Sequence, residues 1–142
     1  MSLPNPDPGL VLRYGYLWAA DAAVGVDTGK DRPAAIVFTV IRDPETCVFM
    51  LPITHSAPAA GTEAMEIPTE VCRRARLDAA RAWIVLSEFN EFVWPGYDLS
   101  IIPNRNPPSM AYGFLTARFF NSVRERCLEL IRQRKAKSVS RD

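Results

Sequence analysis

The stretch Ala34 to Arg42, A-A-I-V-F-T-V-I-R, decides the reading of the fold. It is β-branched and almost continuously apolar, as suits a strand buried on both faces or set in a barrel. Asp43-Pro44-Glu45-Thr46 reads as a turn, with Pro favoured at its second position. Cys47 to Thr54 is then the partner strand, so the centre of the chain is a β-hairpin. Pro52 has no N–H to donate to a ladder, which places it at a strand end or on an edge.

Toward the N-terminus, Asp21 to Pro33 is a long connection holding Gly25, Asp27, Gly29 and Lys30. Connections of about 12 residues without structure of their own are uncommon and often functional. Val11 to Ala20, rich in aromatic and aliphatic residues, reads as the first strand. Residues 1–9, with Pro4, Pro6 and Pro8, read as a loose extended arm.

Toward the C-terminus, His55 to Thr62 is a flexible loop and Met65 to Ile67 a short strand. Pro68 suits the first turn of a short helix running to about Ala75. Ala82 to Ser87 and Glu88 to Trp94 are strands, Pro95-Gly96 a turn, and residues 103–109 a loop. Phe114 to Arg134 is the one long helix. Its residues Leu115, Phe119, Val123, Cys127, Leu130 and Ile131 repeat at helical spacing and make one apolar stripe. The pattern predicts a mainly β fold with helices (α+β), built as a small, strongly bent sheet or barrel. One domain covers residues 10–135, including the helix, and residues 136–142 form a basic tail.

Composition agrees with a single folded domain. At 142 residues, 48% hydrophobic and 23% charged, the chain can bury a core and is not of disordered type. No apolar run approaches the roughly 20 residues that span a bilayer. Residues 1–9 lack the basic-then-apolar pattern of a signal peptide, so the expected location is cytoplasmic. Cys47, Cys72 and Cys127 are odd in number and far apart. That argues against a disulfide framework and a structural zinc site, and for reduced thiols packed as small hydrophobes.

Charge is uneven. Residues 118–142 hold eight basic and three acidic side chains, a net +5, which leaves −4 for the rest of a chain whose total is +1. Two readings fit: a contact for nucleic acid or an acidic protein segment, or a solvated helix face with a frayed end.

Candidate chemistry gathers in residues 27–33 and 52–55. A phosphate loop is excluded, because Gly25 and Gly29 are one residue too close and Asp31, not Ser or Thr, follows Lys30. Arg32 precedes Pro33, which biases it to an extended backbone. Its guanidinium could grip a phosphate in a bidentate fork, or pair with Asp27 or Asp31. Thr54 and His55 end the partner strand. Histidine is the one side chain whose unperturbed pKa, about 6.5, lies near neutrality. Because successive strand residues face opposite ways, Thr54 and His55 share a site only if the strand has ended. Trp18, Trp83 and Trp94 read most simply as core, with a base-stacking platform as the alternative.

The order strand, long loop, G-x-D-x-G-K-D-R-P-A-A-I-V, hairpin, L-P-I-T resembles the PemK/MazF/Kid family of toxin ribonucleases. The resemblance rests on Gly25, Asp27, Lys30, Arg32, Pro33, Ala34, Ile36 and Val37, then Pro52, Ile53 and Thr54, and covers roughly residues 10–56. Gly15-Tyr16-Leu17-Trp18 looks like that family's first strand, with Tyr16 where its members usually carry Asp. Trp83 to Asp98 looks like a branch of PemK-like proteins. The resemblance implies a small SH3-like barrel, often a homodimer with its groove near the dimer seam. It implies a metal-independent endoribonuclease that cuts single-stranded RNA and is held inactive by an antitoxin protein. Within that picture Arg32 binds and stabilises the phosphate and is a candidate acid, and Thr54 positions the phosphate by hydrogen bonding. Asp27 or His55 takes the 2′-OH proton, and Lys30 is a supporting charge. The alternative is a non-catalytic barrel of the same lineage that binds nucleic acid or a protein partner.

Overall fold

The computed structural model describes residues 3–78 and 80–142. The central hairpin is formed by β2, Lys30–Arg42, antiparallel to β3, Glu45–Thr54, around Asp43-Pro44. β2 begins at Lys30 rather than Ala34 because its first residues pair with β1, Leu10–Tyr16, in a register that sets Tyr14 opposite Arg32. β1 stops before Ala20. The alanine-rich segment Ala19–Ala23 forms a short helix, α1, as the high helix propensity of Ala favours. Less of the 21–33 connection is therefore loop than the sequence suggested.

β3 carries two neighbours in succession on its other side. These are β6, Glu88–Val93, opposite Cys47 to Met50, and β5, Trp83–Val85, opposite Ile53 and Thr54. β4, Ala64–Glu66, pairs with β5, and β7, Ala111–Phe114, pairs with β1. Helix α2, Thr69–Arg74, lies between β4 and β5 in the chain. Helix α3, Ala117–Arg132, is followed by β8, Lys137–Ser140, which runs parallel to β6.

The strands form one open sheet, ordered β4-β5-β3-β2-β1-β7 with β6 and β8 branching from β3, and not the closed barrel expected. The sheet nevertheless bends far enough for β1 and β6, separated by β2 and β3, to meet through side chains. Tyr14 stacks on Phe92 with ring centroids 5.2 Å apart. The Tyr16 hydroxyl donates to Glu88 at 3.1 Å. Asn90, fully buried, donates to the Leu17 carbonyl at 2.8 Å and accepts from its N–H at 2.9 Å. A side-chain amide thus supplies across this gap the bonds that a backbone ladder supplies in a barrel.

Both faces of the hairpin are covered along Ala34–Val37 and Val48–Ile53, which is why its sequence there is apolar without alternation, whereas Val40 and Ile41 near the turn are exposed. Leu12, Tyr14, Ala34, Ile36, Val48, Met50 and Phe92 pack inside the bend. Val11, Ala35, Val37, Leu51 and Ile53 face the other way, toward α2 and α3. A bulge between Ile36 and Phe38 turns Phe38 onto this second face beside Val37, as one extra residue in a ladder does.

Two further expectations change at the chain's end. The helix predicted over 114–134 starts at Ala117, because β1 offers an open edge that Ala111–Phe114 fills as a strand. Phe119, Val123, Cys127 and Leu130 are buried as the stripe requires, whereas Ile131 is 37% exposed and lies outside it. Residues 136–142 are no loose basic tail. Beyond β8 the Arg141 side chain, 5% exposed, pairs with Asp98 at 3.1 Å and donates to the Gly15 carbonyl at 2.6 Å and to Asn90 at 3.1 Å. Gly9, the last residue of the expected arm, is also held: its N–H donates to the Ile36 carbonyl and its carbonyl accepts from Leu115.

Candidate functional site

Antiparallel pairing of Ala34 with Pro52 sets the geometry of the site. Two residues before Ala34 and two after Pro52 lie Arg32 and Thr54, on the same face by the period of two. β3 ends at Thr54, and His55 sits in the bend after it. That ending frees His55 from strand alternation. Arg32, Thr54 and His55 line one cavity of about 330 Å³ together with Trp18 and Val85.

Arg32 is the distinctive member. Its Nε is buried and has no hydrogen-bond partner among the described residues. Its guanidinium lies over the Trp18 ring, 5.3 Å from the centroid. The carboxylates that could have neutralised it are elsewhere. Asp31 pairs with Arg13 at 3.9 Å, and Asp27 is exposed on the loop before β2. A buried donor without an acceptor is costly, and the terminal amines of Arg32, which have no partner among the described residues, remain for an incoming anion.

Trp18 is half-buried and walls the cavity, so it is not simply core. It is held from behind. Tyr16 packs edge-on against it at 5.2 Å, and Glu88 accepts from both the Tyr16 hydroxyl and the Ala19 N–H. Burial, reinforced by neighbouring Glu88, pushes the Tyr16 hydroxyl far above its ordinary range, so it stays a donor to that carboxylate. Thr54 uses its hydroxyl proton locally, donating to the Ser56 carbonyl at 3.0 Å. To donate to a phosphate the hydroxyl must rotate away from that bond.

Arg32 and His55 also form walls of a second cavity, of about 300 Å³, with Arg13, Asp31, Asp78 and Tyr112. Asp27 and Lys30 line neither cavity; both are exposed. Gly29, which a phosphate loop would use as a cradle, has another role. A Cβ there would lie 2.1 Å from the Tyr16 carbonyl oxygen, so the residue must be glycine for the chain to pass the end of β1.

Sequence reasoning missed Trp18 as a wall, and Arg13 and Asp78 altogether. Arg13 carried a signal, being the lone charge in the buried run L-V-L-R-Y-G-Y. Asp78 carried none, since a loop carboxylate is unremarkable until the fold places it. The helix α3, whose basic side chains suggested a contact surface, contributes no residue to either cavity. No protein-family model, no curated protein and no solved structure matches the chain. No helix among the described residues is long and apolar enough to cross a membrane.

Proposed function

We propose that the protein is a metal-independent endoribonuclease of the PemK/MazF/Kid toxin type, acting on single-stranded RNA at the Arg32 cavity. What carries the reading is the Arg32 guanidinium, without a hydrogen-bond or ion-pair partner among the described residues, on a wall shared with Thr54 and His55. The likeness of residues 10–56 to that family gives the reaction class, and an SH3-like descent of the sheet is part of the same proposal.

In this reading the ribose 2′-OH attacks the adjacent phosphorus. A 2′-O–P bond forms, the bond from phosphorus to the 5′-oxygen breaks, and a 2′,3′-cyclic phosphate is left. His55 takes the 2′-OH proton as general base, because Asp27 lies outside the cavity. A proton must also reach the departing 5′-oxygen, and protonated His55 or water supplies it. Arg32 meets the charge that builds on the non-bridging oxygens. Thr54 exchanges its bond to Ser56 for one to the phosphate. Trp18 keeps the guanidinium aimed while its exposed edge offers a surface for a base. A homodimer and an acidic antitoxin segment belong to the same proposal.

The test is cleavage of single-stranded RNA by the purified chain in EDTA, with Arg32→Ala alongside. Cleavage with cyclic phosphate ends, lowered about 10²–10³-fold in the variant, is the expected result. RNA left intact under these conditions overturns the enzyme. If RNA is bound by the wild type but not by Arg32→Ala, without cleavage, the non-catalytic nucleic-acid-binding alternative takes its place.

A further inference from the structure

The Arg32 cavity is the first of three neighbouring hollows that share walls, together a trench. Arg32 and His55 are walls common to the first and second cavities. The second shares Asp78 and Pro103 with a third, of about 630 Å³, walled by Arg76, Asn104 and Arg105. The three adjoin in series, with Trp18 at one end and Arg76 at the other.

The cations along this trench are not equivalent. Arg13 is engaged by Asp31. Arg105 is a structural pin: it donates to the Arg76 carbonyl at 2.7 Å and the Tyr112 carbonyl at 3.4 Å, and its guanidinium stacks on Tyr112 at 5.1 Å. Arg76 is exposed and makes no hydrogen bond or ion pair through its side chain among the described residues. Its backbone is nevertheless fixed, since Arg105 holds its carbonyl and its N–H donates to Arg73. Arg32 and Arg76 are thus the two arginines of the three cavities with neither a carboxylate nor a carbonyl partner among the described residues, and Asp78 stands between their cavities. One phosphate cannot serve both, and the carboxylate repels a phosphate placed midway. A strand whose phosphates alternate with base edges fits, because a carboxylate accepts from an amino-bearing base.

We propose that the trench binds one RNA strand over several successive nucleotides, with Arg76 as a distal phosphate subsite remote from the bond that is cut. This rests on the ribonuclease reading of the Arg32 cavity. The test uses 2′-O-methyl oligonucleotides, which cannot be cleaved, as a dinucleotide and an octanucleotide, titrated onto the full chain at several salt concentrations. The octamer binds on the order of tenfold tighter than the dinucleotide. Arg76→Ala removes that advantage, lowers the salt slope for the octamer by about 0.7, and leaves dinucleotide binding unchanged. Arg76→Lys restores the slope. Arg32→Ala weakens both lengths. Equal affinity for both lengths, or an octamer indifferent to Arg76→Ala while Arg32→Ala weakens it, overturns the distal subsite and leaves the Arg32 reading standing. Wild-type protein that binds neither length overturns both.

Discussion

Arg32 is held by an aromatic face rather than a carboxylate, and that choice leaves its fork open. A carboxylate partner would compete with phosphate, whereas Trp18 supports the cation without filling its donors. The fork should matter more than the charge. Arg32→Lys is expected to recover only a small part of the activity lost in Arg32→Ala, because an ammonium cannot bind two phosphate oxygens in one plane. Arg32→Ala is expected to change stability by less than about 1 kcal/mol, read by denaturant titration, because the lost cation–π contact is offset by removal of the unpartnered Nε. His55→Gln should lower the rate about 10²–10⁴-fold and remove a limb of the pH–rate profile. A profile that keeps its shape in that variant excludes His55 as the base. Arg32, Thr54 and His55 were legible in the sequence because Pro33 and Pro52 marked the strand positions beside them. Trp18 was not, because nothing local tells a core aromatic from one that walls a cavity.

At the scale of elements, the hairpin and α3 follow from their own residues, while β7 and β8 do not. A-Y-G-F and K-S-V-S are too short and too mixed to announce strands. Each becomes one because a neighbouring strand presents an unpaired edge, and pairing satisfies backbone groups on both sides. Gly113 shows how tight the first of these fits is: a Cβ there would lie 3.0 Å from the Ala75 carbonyl oxygen. β8 has a second anchor in Arg141, whose fork reaches Gly15 and Asn90 and pairs with Asp98. Arg141→Ala leaves Asp98 and the Gly15 carbonyl without their partner. A loss of ~3 kcal/mol is expected, with the β6–β8 amides losing most of their hydrogen-exchange protection. A loss under ~0.5 kcal/mol would mean that β8 is held by its ladder alone.

Across the whole molecule, the buried ionisable groups predict how stability varies with pH. Burial pushes the Cys127 thiol up to about 11 from its ordinary 9.0. Between those values the unfolded chain releases a proton that the folded chain keeps, so stability falls as pH rises from 9. Tyr14 and Tyr16, raised by burial, continue the fall above pH 10. Glu66 and Glu70 work in the opposite sense: Arg81 and the pair Arg73 and Arg74 lower them, so their contribution goes only as pH drops through the lowered values. A Tm measured from pH 7 to 11 should therefore decline from about pH 9, and a Cys127→Ser or Cys127→Ala variant should decline less steeply between pH 9 and 10, where Cys72, also raised by burial, still contributes. The residues by themselves determined the apolar hairpin, the amphipathic helix and the three side chains that flank the strand junction, since these depend on periodicity and on the backbone limits of proline. Tertiary structure alone decided that the sheet stays open, that Trp18 and not an acid faces Arg32, and that the last residues are stitched to the first strand. Those outcomes join groups far apart in the chain, such as Arg141 with Gly15 and Asn90 with Leu17, and no local pattern encodes which distant partner a polar group will meet.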